Sequence, residues 1–485
     1  MLLVFSTAGH ADDAAPEPGP AAGAMQGPRH IPNSFLAIKT HWNTELAIEA
    51  LDDLGITAVH VDFNHNELEP TRGEYDFSDE NRVIRSADLG ARHGLDQTAI
   101  VTHPSEWLRV PGSAAMFPND DGVEAFEEFM YRVAVRYKGR IRYWQAGGEP
   151  HMPTWQGRYV TMLKAFWRGV KRADPDNKVV LAGFSGGNYR HRSAEPEFLD
   201  IIYRHGGKDY FDIVASHPYC WPLMPEEGRM LETIGNMRKV MEKNGDAKPL
   251  WITEIGWAGV EPSMLGHLQQ DFWHRHRSVS EEDQARALAR VYLVAATVPW
   301  IERVYTFHLS GIPDAGYAEI LSNPDFYMAL WTPWLGDRVR PKEAYFAVKT
   351  VVAMIGESTY AERIDLGPDV WALVFQRDTE AVVALWTTGE DQVLTLGDTS
   401  MVTGVTSMVG TPVLISDSEI PEAELKNQDG ETIVREDWSI DWDGPNTLSI
   451  SGRPIYVKTD LGNVDRLKTQ IQTAAARPKR DFPNG

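Results

Sequence analysis

The chain has 485 residues and a mass of 54.4 kDa, which is long for one ordinary core but suits a barrel of ~250 residues or more with a smaller domain beside it. Its 47 basic and 69 acidic side chains give a net charge of −22, which repels phosphate backbones and anionic bilayers and argues against a general nucleic-acid or membrane-surface binder. A single cysteine, Cys220, excludes an internal disulfide, and no segment has the ~18 uninterrupted apolar residues of a membrane span.

In chain order, residues 1–30 read as a leader and linker: MLLVFSTAGHA is a short apolar stretch ending in small residues, and a Pro-, Ala- and Gly-rich stretch follows. It is expected to be a partial export signal, which points to a secreted or periplasmic protein. Over 31–358, short β-rich runs alternate with helical patterns, the signature of βα units around a parallel sheet. Eight such runs are present: 35–42, 58–63, 98–103, 141–150, 179–185, 212–219, 249–257 and 303–309. Eight strands with intervening helices close without an edge, so the expected fold is an α/β (β/α)8 TIM barrel. Between the runs, 123–137 has apolar spacings of three and four, 280–296 opens on Ser280 followed by acids, and 341–356 reads as the last barrel helix.

From 359 to 466 the pattern changes to short alternating strands with Gly, Asp and Pro turns, expected to form a C-terminal antiparallel β-sandwich. Residues 467–485 read as a polar tail.

In a parallel barrel, chemistry sits at the C-terminal ends of the strands, so polar residues that finish strands are the first candidates. Glu149 ends the fourth run in GGEP and Glu254 ends the seventh in WITEIGW, on opposing sides of an eight-stranded ring. Two carboxyls facing each other across the mouth are what glycoside hydrolysis needs: one protonates the leaving oxygen and the other attacks the anomeric carbon. No zinc-ligand pattern or Gly-rich phosphate loop is found, and no cofactor or metal is expected.

These motifs resemble clan A of the retaining glycoside hydrolases, most closely family 39 and its relatives. There an Asn-Glu-Pro motif on strand four carries the acid/base and a Thr-Glu-x-Gly-Trp type motif on strand seven carries the nucleophile. The stretch LGITAVHVDFNHNELEPTRGEYDF (54–77) is similar to the clan's second strand and following loop, HPY (217–219) to strand six, and the β-sandwich follows as in family 39. The resemblance implies Glu149 as acid/base, Glu254 as nucleophile and an oligo- or polysaccharide substrate joined by a β-glycosidic bond. Two residues depart from the pattern: Gly148 stands where Asn usually precedes the acid/base, and His60 where strand two often has Arg. In the family that Asn binds the sugar hydroxyl beside the reacting carbon. Gly148 therefore implies that another side chain makes the contact, that the substrate's 2-position is modified, or that catalysis is lost.

By the same resemblance Tyr219 is expected to hydrogen-bond Glu254. His41, His103, His217 and His308 also end strands, and each suits a structural hydrogen bond as well as a sugar contact. Of the 16 tryptophans, Trp107, Trp155, Trp221, Trp257, Trp331 and Trp334 lie in or near strand-end loops where indole faces can stack on sugar rings. Arg275 and Arg277 leave an acidic polysaccharide open as substrate. Two other classes remain open at this point: a carbohydrate-binding barrel that has lost turnover, for which Gly148 and His60 speak, and a metal-dependent barrel hydrolase built on His41, His60, His103, His217 and His308.

Overall fold

The computed structural model describes residues 27–109, 119–149, 156–184, 194–228, 230–260, 278–310, 324–331, 340–413 and 446–475. Most of the expected leader, Trp155, Trp334, Arg275, Arg277 and residues 476–485 lie outside these.

A short strand β1 (Arg29–Ile31) precedes the barrel strands β2 (Leu36–His41), β3 (Ala58–Asn64), β4 (Asp96–Thr102), β5 (Tyr143–Gln145), β6 (Lys178–Val180), β7 (Val214–Ser216) and β8 (Leu250–Ile255). Two short strands, β9 (Ala258–Val260) and β10 (Ser278–Ser280), pair with each other, and β11 (Ile301–Thr306) is the eighth barrel strand. The eight pair in parallel in the order β6-β5-β4-β3-β2-β11-β8-β7, and a parallel bridge between Val180 and Ile213 joins the two ends of the row. Each expected run supplies one barrel strand.

The sequence chemistry explains the boundaries. Thr44 caps helix 45–54 by accepting from the Ala47 N–H at 3.1 Å, and Gly55 ends it in the left-handed conformation at φ 71°. Ser280 caps helix 281–296 on the Asp283 N–H at 3.0 Å, a contact worth about 1 kcal/mol. Helix 343–355 closes the barrel. Small and aromatic side chains, among them Ala37, Ala58, Ala215, Trp251 and Tyr305, form a separate cluster near the strand starts. Arg303 stacks there between Tyr143 and Trp251, 4.5 and 4.4 Å from the ring centres, and pairs with Asp96. That end also carries a cavity of about 630 Å³ lined by Arg29, Lys178, Asp212 and Glu302 among others, on the far side from the strand ends that hold the candidate site.

The C-terminal part is a seven-stranded antiparallel sheet that takes in β1, with a two-stranded sheet beside it. Strand β12 (Ser358–Arg363) pairs with β1 and β13 (Val370–Gln376), which pairs with β14 (Glu380–Thr387). Side chains alternate between faces: Trp371, Leu373 and Phe375 join the barrel's core, while Ala372 and Val374 join a second core with Leu467 and Ile471. Both faces are therefore buried, which is why VWALVFQ is apolar throughout. Residues 464–475 form a helix whose Leu467, Ile471 and Ala474 seal that second core, so this part of the expected tail is an amphipathic helix. Its polar composition belongs to the outward face.

Candidate active site

The strand ends bring a set of charged side chains into one place. Gly147, left-handed at φ 86°, turns the chain out of β5 and is followed by Gly148 and Glu149. Glu254 lies within β8, and His217 just past β7. His217 sits so close to Gly183 that a Cβ there would come 1.9 Å from its ring nitrogen, so residue 183 has to lack a side chain for the imidazole to reach the mouth.

The buried His217 ring stands between the two glutamates: its Nδ1 lies 2.9 Å from Oε1 of Glu149 and 3.5 Å from Oε2 of Glu254. Its Nε2 is 2.9 Å from the Thr253 hydroxyl, which fixes the ring from behind. One carboxylate oxygen of Glu149, one of Glu254 and a His217 ring nitrogen all lie within 4.8 Å of one another. The Tyr219 hydroxyl is 3.4 Å from Oε2 of Glu254. On the far side of Glu254, Lys39 places Nζ 3.9 Å from Oε1 and 2.8 Å from Oδ1 of Asp62, whose Oδ2 is 2.9 Å from Nδ1 of His41.

Electrostatics follow from this crowding. Burial raises the Glu254 carboxyl above its ordinary range, with His217 and Lys39 pulling down and Glu149 pushing up. Burial alone would lower His217, but the charges of Glu254 and Glu149 more than offset it, so the imidazole is held above its usual value. Burial also opposes a charge on Asp62, yet Lys39 and His41 hold it far below the usual carboxylate range. Burial and the neighbouring Glu254 drive the Tyr219 phenol well up, which leaves it a neutral donor.

Glu149, Glu254, His217 and Tyr219 are thus brought together, with Gly148 adjoining, and His41 stands three contacts from Glu254, through Asp62 and Lys39. The other candidates have other surroundings. His60 is fully buried within β3, neither ring nitrogen has a hydrogen-bond partner among the described residues, and burial with Lys39 nearby drives it well below its ordinary value. It is a neutral core side chain and not a surface contact. His103 is exposed, its Nδ1 3.0 Å from the Asn64 side-chain oxygen. His308 is buried between the carbonyls of Ser310 and Asp325 and is lowered to about 3 by burial and by His41. Trp257 is fully buried and donates its indole N–H to the Leu223 carbonyl at 2.9 Å, so it offers no face to a sugar. Trp331 packs edge-on against Tyr345, and buried Trp221 stacks on Tyr219 with ring centres 5.5 Å apart. Trp107 gives its N–H to the Glu69 carbonyl at 3.3 Å. Indoles gain more from burial than from solvent, and a nearby carbonyl satisfies the N–H, so strand-end position alone did not separate core from binding faces.

The five histidines of the metal reading are not gathered. Among the described residues, the group whose spacing suits a divalent ion is Glu149, His217 and Glu254 itself, and there the Nδ1 of His217 is engaged with Glu149 in a hydrogen bond. Sequence reasoning missed Lys39, Asp62 and Thr253. The signal was present in part: a lysine inside FLAIKTHW and an aspartate inside AVHVDF are charges in strands otherwise fit for burial.

No protein-family profile and no curated protein matches the chain. Solved structures do. A family 39 glycoside hydrolase from the gut symbiont Bacteroides cellulosilyticus WH2 aligns at TM-score 0.64 and 17% identity, over 88% of this chain and 81% of that one. A glucosidase from Croceicoccus marinus aligns at TM-score 0.54 and 12% identity over 90% and 97%. A family 30 endoxylanase from Clostridium papyrosolvens C71 gives 0.53 and 10% over 90% and 98%. At these identities the shared property is the fold, which this chain has in common with clan A enzymes.

Proposed function

We propose that this protein is a glycoside hydrolase that cleaves a β-glycosidic bond in an oligo- or polysaccharide with retention of configuration. The observation that carries the reading is the carboxylate pair: Glu149 and Glu254 end opposing strands with oxygens within 4.8 Å. A separation near 5 Å suits direct attack on the sugar, whereas inverting pairs stand ~6.5–9.5 Å apart to admit a water. The clan A fold of the similar structures supports the same class.

In this reading an Oε of Glu254 attacks the anomeric carbon, the glycosidic C–O bond breaks, and Glu149 gives its proton to the departing oxygen. A glycosyl ester on Glu254 results. Glu149, now a carboxylate, then takes a proton from the water that opens the ester. His217 touches both carboxyls and holds its charge between them, which favours an ionised Glu254 beside a partner that exchanges its proton. Gly148 leaves the space beside the acid without an amide, so the substrate is a sugar whose 2-position is modified or presented differently from a plain glucoside.

The test is a glycan panel that includes 2-modified sugars, with products identified by mass spectrometry and the first-formed anomer by NMR. Release of the β-anomer is expected. A first-formed α-anomer overturns retention, and oligosaccharide binding without cleavage over long incubation favours a binding protein.

A further inference from the structure

We propose that Lys39 is a positioning residue for Glu254, its ammonium held by Asp62 so that it keeps the Glu254 carboxylate ionised and aimed into the mouth. The Lys39 side chain is 4% exposed, and its Nζ lies 2.8 Å from Oδ1 of Asp62 and 3.9 Å from Oε1 of Glu254. Asp62 cannot swing away, because its other oxygen is committed to Nδ1 of His41 at 2.9 Å. The chain Glu254, Lys39, Asp62, His41 thus alternates in charge or hydrogen-bond role, and three of its members come from two neighbouring strands.

The groups facing Glu254 divide its two oxygens. Oε2 has Tyr219 at 3.4 Å and His217 at 3.5 Å, both from the segment after β7. Oε1 has Lys39. His217 is nearer to Glu149 than to Glu254, so its charge is shared between the two acids. Tyr219 donates without charge. His60, also on β3, is a neutral core ring, and His41 is occupied by Asp62. Among the described residues, Lys39 is therefore the cation that Glu254 does not share with Glu149, and it approaches the oxygen the others leave. An opposite charge within ~4–6 Å lowers a carboxylate's pKa by about 1–3 units, and here it acts against burial and against the nearby Glu149. The consequence for turnover rests on Glu254 being the nucleophile, as proposed above; the effect on its ionisation does not.

The experiment is a ¹³C NMR titration of full-length protein labelled at the glutamate δ-carbon, with the Glu254 signal identified by its loss in Glu254→Gln. In Lys39→Met the Glu254 midpoint should rise by about one unit or more, whereas Lys39→Arg should stay within a few tenths of wild type. The acid limb of the pH–rate profile, measured on the best substrate of the glycan panel, should move upward by the same amount in Lys39→Met, with kcat falling more than KM changes. A Glu254 midpoint that does not move in Lys39→Met overturns the proposal. If that variant fails to fold because Asp62 is left uncompensated, Lys39→Met combined with Asp62→Asn removes both charges, and its midpoint must still rise, since Lys39 is the one of the two in contact with Glu254. A shifted titration in a protein that cleaves no glycan leaves the role of Lys39 intact and sinks the hydrolase reading; cleavage with an unshifted titration does the reverse.

Discussion

The barrel mouth and the junction between barrel and C-terminal sheet both bury charged side chains, but they do so in opposite ways. At the junction, unlike groups meet. Glu226 accepts the Trp386 indole N–H at 2.6 Å and faces Arg290 at 3.7 Å, and Arg290 donates to the carbonyls of Thr387 and Gly452 at 2.9 and 2.6 Å. Trp371 stacks on Trp386 with ring centres 5.4 Å apart. At the mouth, like groups are crowded: two carboxyls share one imidazole. An ion pair that only ties two parts together can be made complementary, whereas a site built for proton transfer has to hold groups whose charges conflict. The junction should therefore answer to mutation in stability and the mouth in rate.

The largest expected effect is at the mouth. Glu254→Ala should abolish turnover with little change in the melting temperature, and added azide should restore product as a glycosyl azide of inverted configuration. Retained activity in that variant would remove Glu254 from the nucleophile role. Glu149→Gln should cost about 10²–10⁴-fold in kcat/KM on substrates with poor leaving groups and much less on activated aryl glycosides, because only the former need full protonation. Equal losses on both would count against Glu149 as the acid.

Next in size is the junction. Arg290→Met leaves Glu226 buried without its cation, and breaking a buried pair in this way costs about 3–5 kcal/mol. Chemical denaturation should report that loss while kcat of the folded fraction stays near wild type. A variant that keeps its stability but loses rate would erase the contrast between the two regions.

Glu195 tests the border between them. It is buried beneath the mouth, hydrogen-bonded to the Ser216 hydroxyl, and its carboxyl is pushed up to about 8, by burial first and by Glu149 last. A raised carboxyl binds its proton more tightly in the folded than in the unfolded chain, so stability is lost as pH rises from the unfolded value near 4.5 through about 8. Glu195→Gln should flatten this slope and stabilise the protein at pH 8 relative to wild type, by on the order of a few kcal/mol at most. Melting temperatures from pH 5 to 8 decide it: parallel curves for the two proteins would mean that Glu195 is not protonated in the fold.

The barrel and its two glutamates were legible in the sequence, for reasons that differ by residue. The eight strands were readable because each is a short apolar run separated from the next by a helical pattern. Glu149 and Glu254 stood out because they finish such runs. The polar reading of 467–475 failed because an amphipathic helix with three buried residues in nine has the composition of a tail. Trp257 and His60 were misjudged for a different reason: strand-end or strand-interior position fixes which side of the sheet a residue faces, but not how deeply the next layer covers it. Lys39 and Asp62 were missed because their pairing crosses from one strand to the next, 23 residues along the chain, and only the register of β2 beside β3 brings them together.

The smallest expected effect concerns Gly148, next to the acid. If the missing amide is what admits a substituted sugar, then Gly148→Asn should shift preference towards unmodified sugars and crowd the natural substrate. A side chain that meets or misses a neighbouring group changes such selectivity by about 1–3 kcal/mol, or 10- to 200-fold in the ratio of kcat/KM values. Stability should hardly respond, since Gly148 is partly exposed and no buried pair depends on it. Wild-type protein should be a poor catalyst on plain aryl glucosides for the same reason: nothing at 148 strengthens its hold on an ordinary 2-hydroxyl as the transition state forms. Paired kinetics on a 2-hydroxyl and a 2-modified substrate, in wild type and Gly148→Asn, give the ratio directly. If the wild type already turns over unmodified glucosides efficiently and the ratio is the same in both proteins, Gly148 is a backbone adjustment and carries no specificity.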